Sequence, residues 1–152
     1  IRAVLLGGAG DADILEAIRK AMATSVPVIR TGTDVPLLGA LLRRSALCIS
    51  NDSGPRHLAV AVGTPSLALF RQFHGIEWNI YPETAECVTL TGTQPCSACP
   101  PSACLDRTPG GERYGAVCLR QLGVDEVLAR AVAMVAGGHQ PRPGLLDTIV
   151  GG

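Results

Sequence analysis

The chain has 152 residues, 47% of them hydrophobic, with 13 basic side chains against 13 acidic ones and only 3% aromatics. That length and apolar share suit one compact domain with a core of its own. The charge balance and the scarcity of rings exclude a basic footprint or stacking platform, so nucleic acid is not an expected partner. No run approaches the roughly 18 apolar residues of a transmembrane segment, and no signal peptide is visible, so the expected location is cytoplasmic.

In chain order, Arg2 to Leu6 reads as a short apolar strand ending in Gly7-Gly8-Ala9-Gly10. Because the chain opens on Ile1, directly into that strand, the natural polypeptide is expected to start earlier. Asp11 to Met22 carries Ile14, Leu15, Ile18 and Met22 at the spacing of an amphipathic helix. Pro27 to Ile29 is a second strand candidate, followed by Thr31-Gly32-Thr33-Asp34 and a helix from Pro36 to Arg44 with Leu37, Leu38, Leu41 and Leu42 on its inner face. Leu47 to Ser50 reads as a strand, Pro55 to Val62 as a helix and Ser66 to Phe70 as a strand. A loop with Trp78 and Pro82 leads to a strand at Cys87 to Leu90. The last regular element is a helix over Val124 to Val135, with Val124, Val127, Leu128, Ala131, Val132 and Val135 along one side. Residues 139–152, rich in Pro and Gly, read as a tail.

This alternation predicts an α/β fold, a Rossmann-like parallel sheet with helices on both faces. Open sheets of that kind bind ligands beyond the C-terminal ends of their strands, where Asp52, Ser53 and Gly54 fall. There Gly54 relaxes the turn and Pro55 opens the helix, where its missing N–H costs nothing. The amides opening a helix lack intrahelical partners and lie at the positive end of its dipole, so a diphosphate can accept hydrogen bonds near Ser53, Gly54 and Arg56.

The run Asp52-Ser53-Gly54-Pro55-Arg56-His57-Leu58-Ala59-Val60-Ala61, followed by Gly63-Thr64-Pro65, resembles the signature D-[ST]-G-x-x-H-x-x-A-A and G-x-P of glycosyltransferase family 9, typified by ADP-heptose:lipopolysaccharide heptosyltransferases. The resemblance extends from about Ile1 to Val135 and implies the donor-binding, C-terminal half of a two-domain GT-B glycosyltransferase. On that reading residues 1–138 form the nucleotide-sugar domain, N-terminally incomplete, with a Cys-rich loop insert at 94–119. The family implies inverting transfer of a sugar, commonly heptose, from an ADP-linked donor to a lipopolysaccharide-type glycan, without a catalytic metal. The base belongs to an N-terminal acceptor-binding domain that this chain lacks, so no catalytic residue is assigned here and the chain alone should turn over poorly. A cytoplasmic protein, peripheral at the inner membrane face, fits such an acceptor.

The donor and phosphate candidates are Asp52, Ser53, Gly54, Pro55, Arg56 and His57. Each has a plainer reading. Asp52 could cap the helix or order its turn, a role compatible with meeting a sugar hydroxyl; Arg56 could be an ordinary solvated residue; His57 could satisfy the loop backbone. Where relatives carry a ribose-binding Glu, this chain has Pro36-Leu37 and Asp34 is the nearest acid, so Thr31, Thr33 and Asp34 are candidate nucleotide contacts. Arg71 and His74, where relatives have Gly and Thr or Pro, are candidate sugar contacts and put the identity of the sugar in question.

Cys96-x2-Cys99-x4-Cys104-x13-Cys118 lies in a loop rich in Pro and Gly that needs a staple. Four thiolates can hold a structural zinc, while disulfides and free thiols are the alternatives. Cys48 and Cys87 sit in apolar strand contexts and read as small buried hydrophobes. Gly8 to Asp13 lacks the third small residue of a dinucleotide fingerprint, no P-loop occurs, and Ser53 lacks the G-x-S-x-G setting of a hydrolase nucleophile. Two rivals remain: a sugar-nucleotide epimerase of related architecture, and a non-catalytic, zinc-stapled binding module.

Overall fold

The computed structural model describes residues 2–70, 79–92, 119 and 121–138. The chain divides into two compact units, Ile1–Leu41 and Leu42–Gly152.

In the first unit, β1 (Leu5–Gly7) runs parallel to β2 (Val28–Arg30), pairing Leu5 with Val28 and Gly7 with Arg30. A 3-10 turn at Ala9–Asp11 links β1 to α1 (Ala12–Ala21), and the Gly8 N–H donates to Asp11 Oδ2 at 2.7 Å across it. Gly7 is required by a close approach: a Cβ there would stand 2.6 Å from Leu15 Cδ1 of α1. Only Leu15 of the four predicted apolar positions of α1 is buried. Ile14 and Ile18 are exposed and Met22 is half-buried, because the helix meets its small sheet through the single row that faces Gly7. The predicted strand at Arg2 to Leu6 also starts later, at Leu5.

Helix α2 (Val35–Arg43) follows β2 and runs across the boundary between the units. Leu42 is its buried residue, Leu38 and Leu41 are half-buried, and Leu37 is exposed.

The second unit is built on β3 (Cys48–Asn51), β4 (Ser66–Phe70) and β5 (Cys87–Thr91), all parallel in the order β3-β4-β5. Central β4 is buried at Ser66, Leu67, Ala68 and Phe70, the continuous burial expected of a parallel strand covered on both faces. Because side chains alternate along a strand, Leu67 and Phe70 belong to opposite faces. Leu67 and Val88 pack with Ala131 and Met134 of α4 (Val124–Ala136), while Phe70 lies under Arg56 of α3 (Gly54–Ala61). Helices therefore cover both faces of this sheet.

The row of α4 that packs is Val127, Ala131 and Met134. The expected positions Val124, Leu128 and Val132 are exposed. The sequence carries two adjacent apolar rows on this helix, and the sheet covers one of them. Helix α3 ends at Gly63, whose φ of 77° provides the left-handed residue that stops it. Thr64 then donates its hydroxyl to the Leu42 carbonyl at 2.7 Å, satisfying a buried group near the end of α2.

Candidate active site

The turn between β3 and α3 forms because the ladder ends at Asn51, paired with Leu69, and a helix with Pro at its start begins at Gly54, after only Asp52 and Ser53. Ser53 occupies the N-cap position in extended backbone, but its hydroxyl donates to the Asn51 carbonyl at 3.2 Å instead of capping the helix. The Arg56 N–H closes a tight turn onto the Ser53 carbonyl at 3.0 Å, so this amide is already engaged. Ser53 and Gly54 are exposed, at the C-terminal end of a parallel strand.

Asp52 does not cap α3. Its carboxylate instead stands 3.7 Å from Arg56 Nη1 and 3.9 Å from His57 Nε2. The reading of Arg56 as a solvated residue is overturned: its side chain is 0% exposed. The guanidinium lies 4.5 Å from the Phe70 ring centre and 5.0 Å from that of Tyr81, and Nη2 donates to Asn79 Oδ1 at 2.5 Å and to Thr89 Oγ1 at 3.5 Å. Asn79 also donates to Thr89 Oγ1 at 3.1 Å. These contacts offset the large cost of taking a cation out of water.

His57 is half-exposed on the first turn of α3, with Nδ1 2.9 Å from the Tyr81 hydroxyl. That is a side-chain partner in place of the loop backbone considered from the sequence. Tyr81 thus serves two neighbours, with its ring against Arg56 and its hydroxyl against His57. Phe70, Asn79, Tyr81 and Thr89 were not singled out in the sequence. The available signal was the four-residue spacing of Asp52 and Arg56, the spacing of a helical ion pair.

Within the first unit, Thr31 is buried and Thr33 and Asp34 are exposed around Gly32, whose φ is 56°. Asp34 Oδ1 accepts the Leu37 N–H at 2.8 Å and so caps α2. Arg71, His74 and the four cysteines Cys96, Cys99, Cys104 and Cys118 lie outside the described residues. Among the described residues no group of three or more His, Cys, Asp or Glu side chains converges as a metal centre, and no helix is long and apolar enough to cross a membrane. Cys48 is buried, and burial pushes its thiol above the ordinary pKa; Cys87 is half-buried.

The family model of glycosyltransferase family 9 (heptosyltransferase) matches residues 1–106, a span that includes β1, β2 and the whole β3–α3 turn. No curated protein matches the chain. Among solved structures it is similar to the glycosyl transferase family 9 from Veillonella parvula DSM 2008, with a TM-score of 0.64 at 20% identity, over 90% of this chain and 37% of that one. At that identity the likeness shows the fold, and the chain spans little more than a third of its neighbour's length. Since that match covers well over half of the 152 residues, and with them the β3–α3 turn and the strands and helices that carry it, the chain belongs to glycosyltransferase family 9.

Proposed function

We propose that this chain is the donor-binding part of an inverting glycosyltransferase, which moves a sugar, heptose, from an ADP-linked donor to a lipopolysaccharide or related glycan acceptor. The observation that carries the reading is the β3–α3 turn, where exposed Ser53 and Gly54 open a helix of eight residues at the C-terminal end of a parallel strand. Helix-opening amides and the helix dipole favour a departing diphosphate and stabilise the charge that develops on it. Deprotonation of the acceptor hydroxyl falls to a base in an N-terminal acceptor domain. Thr31, Thr33 and Asp34 are proposed for the nucleotide, Arg71 and His74 for the sugar, and the four-cysteine loop for a structural zinc. A glycan acceptor of this kind places the enzyme in the cytoplasm at the inner membrane face.

Calorimetric titration with ADP, UDP and GDP tests the reading, alongside Ser53→Trp, which puts a bulky ring at the exposed turn. The expected result is saturable binding of ADP that is lost in the variant. Binding of none of the three at millimolar ligand overturns it.

A further inference from the structure

We propose that Arg56 is a positioning residue for the anion turn. Buried beneath it, Arg56 cancels and fixes the Asp52 carboxylate, so that a diphosphate reaches Ser53 and Gly54 without repulsion. The inference rests on the reading of that turn as a diphosphate site.

An acidic residue next to such a turn is a problem in itself, because a carboxylate and a diphosphate repel. Asp52 immediately precedes Ser53, and its side chain is 23% exposed. The compensating charge comes from within. Arg56 is wholly buried, and of its two terminal nitrogens Nη2 is spent on Asn79 and Thr89 while Nη1 faces Asp52 Oδ1 at 3.7 Å. That distance is an ion pair and too long for a hydrogen bond, and neither Nη1 nor Nε has a hydrogen-bond partner. A buried guanidinium with unsatisfied donors is costly where no anion uses its field. Here the unsatisfied Nη1 is the atom on the side of Asp52 and the turn. Its field adds to the dipole of α3 and converts an acidic approach into a neutral one.

The fork of arginine is needed for this arrangement. One nitrogen holds the loop and strand through Asn79 and Thr89, another faces the carboxylate, and the plane rests on Phe70 and Tyr81. Since no atom of the side chain reaches solvent, Arg56 touches no ligand and acts through Asp52 and through space.

Inorganic pyrophosphate, which carries the charge and no base or sugar, is the probe. Its affinity is measured by calorimetry at low and raised salt for the full chain and for Arg56→Met, Arg56→Lys and Asp52→Asn, with thermal midpoints recorded for each. The expected pattern follows charge: Arg56→Met binds about tenfold more weakly, Asp52→Asn several-fold more tightly, and Arg56→Lys stays within about threefold of wild type, with all differences shrinking as salt rises. A purely structural role lowers the midpoint of Arg56→Met but gives no tightening in Asp52→Asn.

The proposal is overturned if wild type binds no pyrophosphate at millimolar concentration, or if Asp52→Asn binds equally or more weakly. It is also overturned if Arg56→Met keeps its affinity, whatever happens to its midpoint. Should Arg56→Met not fold, Arg56→Gln, which keeps a polar head and drops the charge, takes its place with the same expected weakening. ADP, UDP and GDP separate this inference from the functional reading. The charge pattern with no nucleotide bound better than pyrophosphate keeps Arg56 and removes the donor site; ADP binding that Asp52→Asn leaves unchanged does the reverse.

Discussion

The Tyr81 hydroxyl stands 2.9 Å from His57 Nδ1, while the ring of the same tyrosine lies against the Arg56 guanidinium. One side chain from the segment after Asn79 therefore braces two successive residues of α3. Tyr81→Phe removes the hydroxyl and keeps the ring, and should cost at most about 1 kcal/mol, since the partner histidine is half-exposed and water can replace the bond. Tyr81→Ala also removes the cation–π contact and its packing, and should cost about 2 kcal/mol. Urea unfolding of the two variants measures the difference, which is the contribution of the ring.

The Asp34 carboxylate has one oxygen committed to the Leu37 N–H at 2.8 Å. Loss of that cap in Asp34→Ala should destabilise the protein by about 1 kcal/mol, and Asp34→Ser should recover most of it, because serine also accepts from the third helical N–H. The proposed nucleotide contact uses the carboxylate itself. Asp34→Ser should therefore keep wild-type stability in urea while losing ADP affinity by calorimetry, which separates the cap from the ligand role.

How much of this was legible varies with how local each cause is. Strand β4 was read from Ser66 to Phe70, the bounds it has, because a buried parallel strand shows as an uninterrupted apolar run. Strand β2 lies one residue later than the expected Pro27 to Ile29: Pro27 lends its carbonyl to Leu5, and the paired register starts at Val28. Helix α4 was read within a residue of its end and Val127 and Ala131 on its packed side, but Val124, Leu128 and Val132 were placed there too, since they form a second apolar row that periodicity cannot distinguish from the one containing Met134. At the site, the turn from Asp52 to Gly54 was visible as a local pattern of strand, glycine and proline. The burial of Arg56 was not, because it is decided by Phe70, Asn79, Tyr81 and Thr89, brought there from other elements.

Thr64 is 4% exposed and its hydroxyl donates to the Leu42 carbonyl at 2.7 Å. Thr64→Val conserves the shape and strips the donor, leaving that carbonyl without this bond. The carbonyl still accepts the Ser45 N–H at 2.8 Å, so the cost should be that of one lost hydrogen bond, about 1.5 kcal/mol. Thr64→Ser keeps the hydroxyl and should lose only about 1 kcal/mol, from the missing methyl. Midpoints in urea at neutral pH rank the three proteins, with serine expected between wild type and valine.

On α1, Arg19 donates to both oxygens of Glu16 at 2.7 Å, and Lys20 stands 3.7 Å away. The hydrogen bonds and charge of Arg19, aided by Lys20, hold the Glu16 carboxyl at about 2 instead of 4.5. A carboxyl whose pKa is lower folded than unfolded stabilises the protein fully above the unfolded value, and that contribution fades as the pH falls towards the folded one. Wild type should therefore lose stability between pH 4.5 and about 2 more steeply than Glu16→Gln, which has nothing to titrate there. The pair is exposed, so the difference should be small and should vanish near 1 M salt, where the screening length is about 3 Å. Urea midpoints of both proteins across that pH range, at low and high salt, check the direction: parallel curves at low salt would show that the pair adds nothing to folding.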